Sequence, residues 1–117
     1  MAKFEITRAR KILGDRRLIN FLRFINEKSS KGQFKFDVLA VKLINEKLDR
    51  GQSLDELFDK ESDFGYRLRV FKYNELHYRI EFGCQAGPTE GDGATWDVWF
   101  NPDGSVSSAE MISFWIS

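Results

Sequence analysis

The chain has 117 residues, 18 Lys/Arg against 18 Asp/Glu, and 17 aromatics (11 Phe, 3 Trp, 3 Tyr). That length suits one domain, able to bury about two-thirds of the surface of its unfolded chain, and the aromatic content argues for a packed core over disorder. One cysteine, Cys84, excludes an intrachain disulfide, and one histidine, His77, leaves too few soft ligands for a Cys/His zinc site, so no metal or cofactor is expected.

The N-terminus is charged within five residues, and no apolar run approaches the roughly 18 to 20 residues of a membrane span. A reducing, cytoplasmic setting is the expectation. The zero net charge conceals a division: residues 1–50 hold 13 Lys/Arg against 6 Asp/Glu and residues 51–117 hold 5 against 12, or +7 and −7. Either a basic helical layer packs on an acidic sheet, or a basic face serves nucleic acid or an acidic partner.

Residues 1–60 read as a helical layer. Ile6, Ala9 and Leu13 recur at helical spacing, Gly14 interrupts, and Asp15 is placed to cap a second helix with the stripe Leu18, Phe21, Leu22, Ile25. After Ser29–Gly32 and two phenylalanines, Asp37 is the expected N-cap of a third helix carrying Val41, Ile44 and Leu48. Gly51 suits the left-handed residue beyond its end. Ser53 and Glu56 then spell a capping box for a short fourth helix ending near Lys60.

From Tyr66 to the end the period changes to two, the signature of strands. Apolar residues fall on even positions: Tyr66, Leu68, Val70; Tyr78, Ile80, Phe82, Cys84; Trp96, Val98, Phe100. Opposite residues of an antiparallel pair share a face, so the first hairpin needs an odd loop. A three-residue loop, Asn74–Leu76, sets Val70 against Ile80, Leu68 against Phe82, Arg69 against Glu81 and Phe71 against Arg79. Asn101-Pro102-Asp103-Gly104 predicts a type I turn with left-handed Gly104, pairing Phe100 with Val106. The same register sets Met111 against Thr95, so the last strand outruns its partner into the run Gly87–Gly93, expected as a mobile connector.

The predicted fold is therefore a single α+β domain, about four short N-terminal helices on one face of a four-stranded antiparallel meander sheet. No catalytic constellation emerges. His77 and Cys84 are seven residues apart on one strand, hence on opposite faces. Gly87–Gly93 lacks phosphate-loop and calcium-loop patterns.

Three functional expectations follow. The first is a non-catalytic protein-binding module of inhibitor, immunity or adaptor type, engaging another protein or a second copy of itself. Its surface would be the second sheet face: Arg67, Arg69, Phe71, His77, Arg79, Trp99, Met111 and Trp115, a mixture enriched at interface hot spots. The second is nucleic-acid binding through Arg8, Arg10, Lys11, Arg16, Arg17 and Arg23. The third is a small roll-fold enzyme with a pocket near Asp97, flanked by Trp96 and Trp99.

Overall fold

The computed structural model describes residues 2–58, 65–87 and 90–116. Helices α1 (Ala2–Leu13), α2 (Asp15–Ser30), α3 (Leu39–Asp49) and α4 (Leu54–Phe58) precede strands β1 (Gly65–Lys72), β2 (His77–Gly87), β3 (Glu90–Phe100) and β4 (Val106–Ile116). The strands form one antiparallel sheet in the order β1-β2-β3-β4. This is the α+β arrangement that the change of period predicts. No helix among the described residues is long and apolar enough to cross a membrane.

The even-numbered strand residues face the helices. Leu68, Val70, Tyr78, Ile80, Phe82, Trp96, Val98 and Phe100 are buried there, with Leu18, Phe21, Leu22 and Ile25 of α2 and Val41 and Ile44 of α3. Phe21 meets Trp96 edge-on at 5.4 Å, so α2 lies over the middle of the sheet. Removing a buried ring of this kind costs about 3 to 5 kcal/mol. Arg17 donates to the Tyr78 hydroxyl at 2.6 Å, satisfying the one polar atom that Tyr78 carries inward. Asn45, buried in α3, donates to the carbonyls of Leu22 and Val41 and accepts from Arg23, which ties α2 to α3.

Two expected caps are replaced. Asp15 follows Gly14, the residue before α2, and accepts two hydrogen bonds from Arg10 instead of capping. Asp37 does not cap α3. The Leu39 and Ala40 amides donate to Asp92, 53 and 52 residues further on, because the sheet brings a better-placed carboxylate to that helix end. The Ser53 half of the capping box does form, Ser53 Oγ accepting from the Glu56 amide, whereas the expected end near Lys60 lies outside the described residues.

The first hairpin has the register expected of it: Leu68 faces Phe82, Arg69 faces Glu81, Val70 faces Ile80 and Phe71 faces Arg79. Tyr73 closes the loop by donating its amide to the His77 carbonyl. The turn at Asn101–Gly104 also forms, with Gly104 left-handed at φ 91° and Phe100 opposite Val106.

Beyond that turn the expected register fails. The pairing shifts between Trp99 and Phe100 and again between Thr95 and Trp96, so Met111 faces Trp96 and Ser113 faces Thr95. Each shift is a bulge that admits one extra residue, and one extra residue inverts the faces beyond it. The Gly87–Gly93 connector is corrected too. β2 runs to Gly87 and β3 starts at Glu90, with Gly83 facing Gly93 and Cys84 facing Asp92. Consequently β4 does not outrun its partner: Phe114 faces Ala94, Trp115 faces Gly93 and Ile116 faces Asp92.

Candidate functional site

Four tiers of the sheet's second face, read across from β1 to β4, carry its large and charged side chains. Arg67, Gly83, Gly93 and Trp115 form the first; Arg69, Glu81, Thr95 and Ser113 the second. Phe71, Arg79, Asp97 and Glu110 form the third, and His77, Trp99 and Ser108 the fourth, with Tyr73 beside His77. No described helix lies over these tiers, and Phe71 remains 65% exposed and Tyr73 53%.

Its aromatic rings are held by one another. His77 stacks on Trp99 at 4.5 Å and on Tyr73 at 4.6 Å, while the Arg79 guanidinium sits 5.6 Å from the Tyr73 ring. At the opposite end Trp115 lies across the two glycines, and Arg67 covers its ring at 5.6 Å. The glycines are a geometric requirement. A Cβ on Gly93 would stand 2.5 Å from Trp115 Cζ2, and one on Gly83 would stand 2.5 Å from the Asp92 carbonyl oxygen.

Charges in the middle tiers are mostly paired. Arg79 donates to both carboxylate oxygens of Asp97 at 3.0 and 3.3 Å, and this grip holds the Asp97 carboxyl below the usual range against the opposing effect of desolvation. His77 adds a smaller pull, its Nε2 lying 3.7 Å from Asp97 Oδ1, beyond hydrogen-bond length. Arg69 lies 4.0 Å from Glu81 and 3.6 Å from Glu5. Three shielded atoms of this face lack a hydrogen-bond partner among the described residues: His77 Nε2, Glu81 Oε1 and Trp115 Nε1.

Of the eight residues expected on this face, seven are there: Arg67, Arg69, Phe71, His77, Arg79, Trp99 and Trp115. Met111 is the exception. The bulge before it turns its side chain to the helix side, opposite Trp96, where it packs on the core. The expected face also lacked Tyr73, Glu110 and Ser113. Tyr73 continues the odd-numbered alternation past Phe71 and was within reach of that pattern. Ser113 shares the odd parity of Trp115 and was within reach too, whereas Glu110 depends on the bulge before it, for which no sequence signal stands out.

The pocket expected near Asp97 does not take the shape foreseen. Trp96 and Asp97 alternate, so Trp96 is buried under the helices while Asp97 points to the other face. Its lowered pKa is the reverse of what a general acid needs. His77 and Cys84 stand on opposite faces as expected, and burial pushes the Cys84 thiol up. Among the described residues no group of three or more His, Cys, Asp or Glu is placed to hold a metal ion.

Three of the six basic helix residues are engaged within the fold. Arg10 binds Asp15 and Asp55, Arg17 binds Tyr78, and Arg23 binds Asn45 and Asp49. Arg8, Lys11 and Arg16 stay exposed. Sequence reasoning also overlooked an apolar patch at the far edge: exposed Leu39 and Leu43 one turn apart on α3, Phe36 stacked on Phe114 at 4.6 Å, and exposed Ile116.

Compared with known proteins, the chain matches no family model, no curated protein and no solved structure.

Proposed function

We propose that this chain is a small non-catalytic protein-binding module whose docking surface is the second face of the sheet. The observation that carries the reading is Phe71 and Tyr73, more than half exposed on a face that no described helix covers, beside a ring stack already locked in place. Locked aromatic and arginine side chains lose little conformational freedom on binding, which is what makes such residues hot spots. An inhibitor, immunity or adaptor role suits a domain of this size. The unpaired Cys84 accords with a reducing, cytoplasmic setting.

The occupant we favour is another protein. A second copy is the alternative that sedimentation velocity at micromolar concentration detects directly. A photo-crosslinking amino acid at Tyr73, compared with one at Lys42 on the helical side, tests the face itself. The expected result is a specific adduct from position 73 that disappears with Phe71→Ala and Trp99→Ala. Adducts from position 42 alone, or adducts indifferent to both substitutions, would refute the assignment.

A further inference from the structure

The docking face continues around the sheet edge. α1 lies beside β1, and an open groove between them has an apolar floor of Ala9, Ile12 and Val70. Glu5 and Arg8 rise on the α1 side, and Arg69, Phe71 and Lys72 on the β1 side. A second hollow on the sheet face is lined by Arg69, Phe71, Arg79, Glu81 and Thr95. Arg69 and Phe71 belong to both hollows. They form a ridge between them, with the Arg69 side chain 52% exposed.

The charges around this ridge are equal in number once Asp97 and Glu75 are counted, but they are unequally paired. Four cations, Arg8, Arg69, Lys72 and Arg79, meet two acids, Glu5 and Glu81. Two of the cations are engaged, Arg79 with Asp97 and Lys72 with Glu75 at 3.0 Å. Arg8 has no ion-pair or hydrogen-bond partner among the described residues. Arg69 is held from either side at 3.6 and 4.0 Å, distances that leave its N–H donors unused. Two guanidinium groups with unspent donors thus flank an apolar floor, and the planar fork of a guanidinium is complementary to a carboxylate.

We propose that the partner of this face is an acidic protein segment. Its carboxylates meet Arg8 and Arg69, and an apolar side chain enters the groove beside Phe71 over Ala9 and Ile12. This rests on the reading of the sheet face as a protein-docking surface and adds the partner's chemistry. A nucleic-acid backbone could also satisfy the two arginines. The apolar floor argues against it, because a sugar-phosphate backbone has no aliphatic side chain to place over Ala9 and Ile12, whereas a peptide presents carboxylates and apolar side chains together.

Fluorescence anisotropy at low salt tests the proposal with three labelled probes: a peptide of alternating Glu and Phe/Leu, the same peptide with Lys for Glu, and a single-stranded oligouridylate. The acidic peptide is expected to bind about tenfold or more tightly than the basic one, weakening as salt is added. Arg69→Ala and Phe71→Ala are each expected to weaken it by about tenfold and Arg8→Ala by about threefold. Glu5→Gln, which releases Arg69, is expected to tighten it, a gain that misfolding cannot produce. Amide shifts on binding should concentrate at residues 5–12 and 69–72.

Equal binding of both peptides, stronger binding of the oligouridylate, indifference to Arg8→Ala and Arg69→Ala, or shifts elsewhere would each overturn it. A non-acidic partner crosslinked at Tyr73 would overturn this inference while leaving the docking face standing. Loss of the Tyr73 adduct and of acidic-peptide binding together would remove both.

Discussion

Gly93→Ala probes the glycine tier directly. The added Cβ would lie 2.5 Å from Trp115 Cζ2 and 2.6 Å from Cε2, roughly 1 Å or more inside the contact distance of about 3.5 to 4.0 Å between carbons. All three nearest atoms belong to the indole, which is only half-buried and can lift away. Lifting surrenders the ring's packing and its contact with Arg67. Overpacking costs about 1 to 3 kcal/mol and a lost cation–π contact at an exposed site about 0.5 to 1. Alanine recovers roughly 0.5 to 1 kcal/mol over glycine in a strand, which offsets the cation–π loss, so the expected net loss is about 1 to 3 kcal/mol.

In a Trp115→Ala background the obstacle is gone, and Gly93→Ala should become neutral or slightly stabilising. Gly83→Ala is the internal control. Its nearest obstacle is the Asp92 carbonyl oxygen at 2.5 Å, a backbone atom that Trp115→Ala leaves in place, so the cost should persist in both backgrounds. Urea unfolding followed by far-UV circular dichroism gives the cycle without relying on tryptophan emission. An equal cost for Gly93→Ala with and without Trp115 would refute the packing of the indole on the glycines.

Asp92→Ala should cost about 1 to 2 kcal/mol by stripping the α3 amides of their acceptor, whereas Asp37→Ala should stay within about 0.5; the reverse order in urea melts would restore Asp37 as the cap. Asp97 and Asp15 are held below the ordinary carboxylate range by Arg79 and Arg10, and Asp103 by Ser105. A carboxyl with a depressed pKa in the folded state adds stability that is complete above its unfolded value near 3.9 and lost as pH falls through the folded value. Unfolding free energy should therefore be level from neutrality to about pH 5 and decline below about pH 4, with a shallower decline in Arg79→Met. An unchanged profile in that variant would show that Asp97 owes nothing to Arg79. The Cys84 thiol, pushed up by burial, should alkylate more slowly in the native protein than after denaturation, and equal rates would contradict its placement.

Where local pattern and tertiary packing agreed, the sequence was readable. The apolar stripe of α2 and the even-numbered alternation in β1, β2 and β3 lie on the core face because burial there follows helical and strand periods directly. Six residues of the candidate face were legible for the same reason, since parity places them once the even face is known to be inward, and Trp115 joins them because two bulges cancel. Met111 was misplaced because parity holds only while register holds, and a bulge between Trp99 and Phe100 costs too little to leave a marked local signature. Gly87–Gly93 misled for a related reason. Glycine is the ordinary mark of a loop, yet here Gly83 and Gly93 are small because an indole from β4 lies on them.

The sequence by itself determined the order of helices and strands, the β1–β2 and β3–β4 turns and the inward residues of three strands, since each follows from contacts within a few residues or from solvent-driven alternation. Only the tertiary structure decided which side of β4 faces out, which carboxylate caps α3, and which arginines remain unspent. Those outcomes depend on partners tens of residues away, such as Asp92 at the start of α3 and Tyr78 beneath Arg17. No local pattern encodes a pairing whose other half arrives only when the helical layer closes on the sheet.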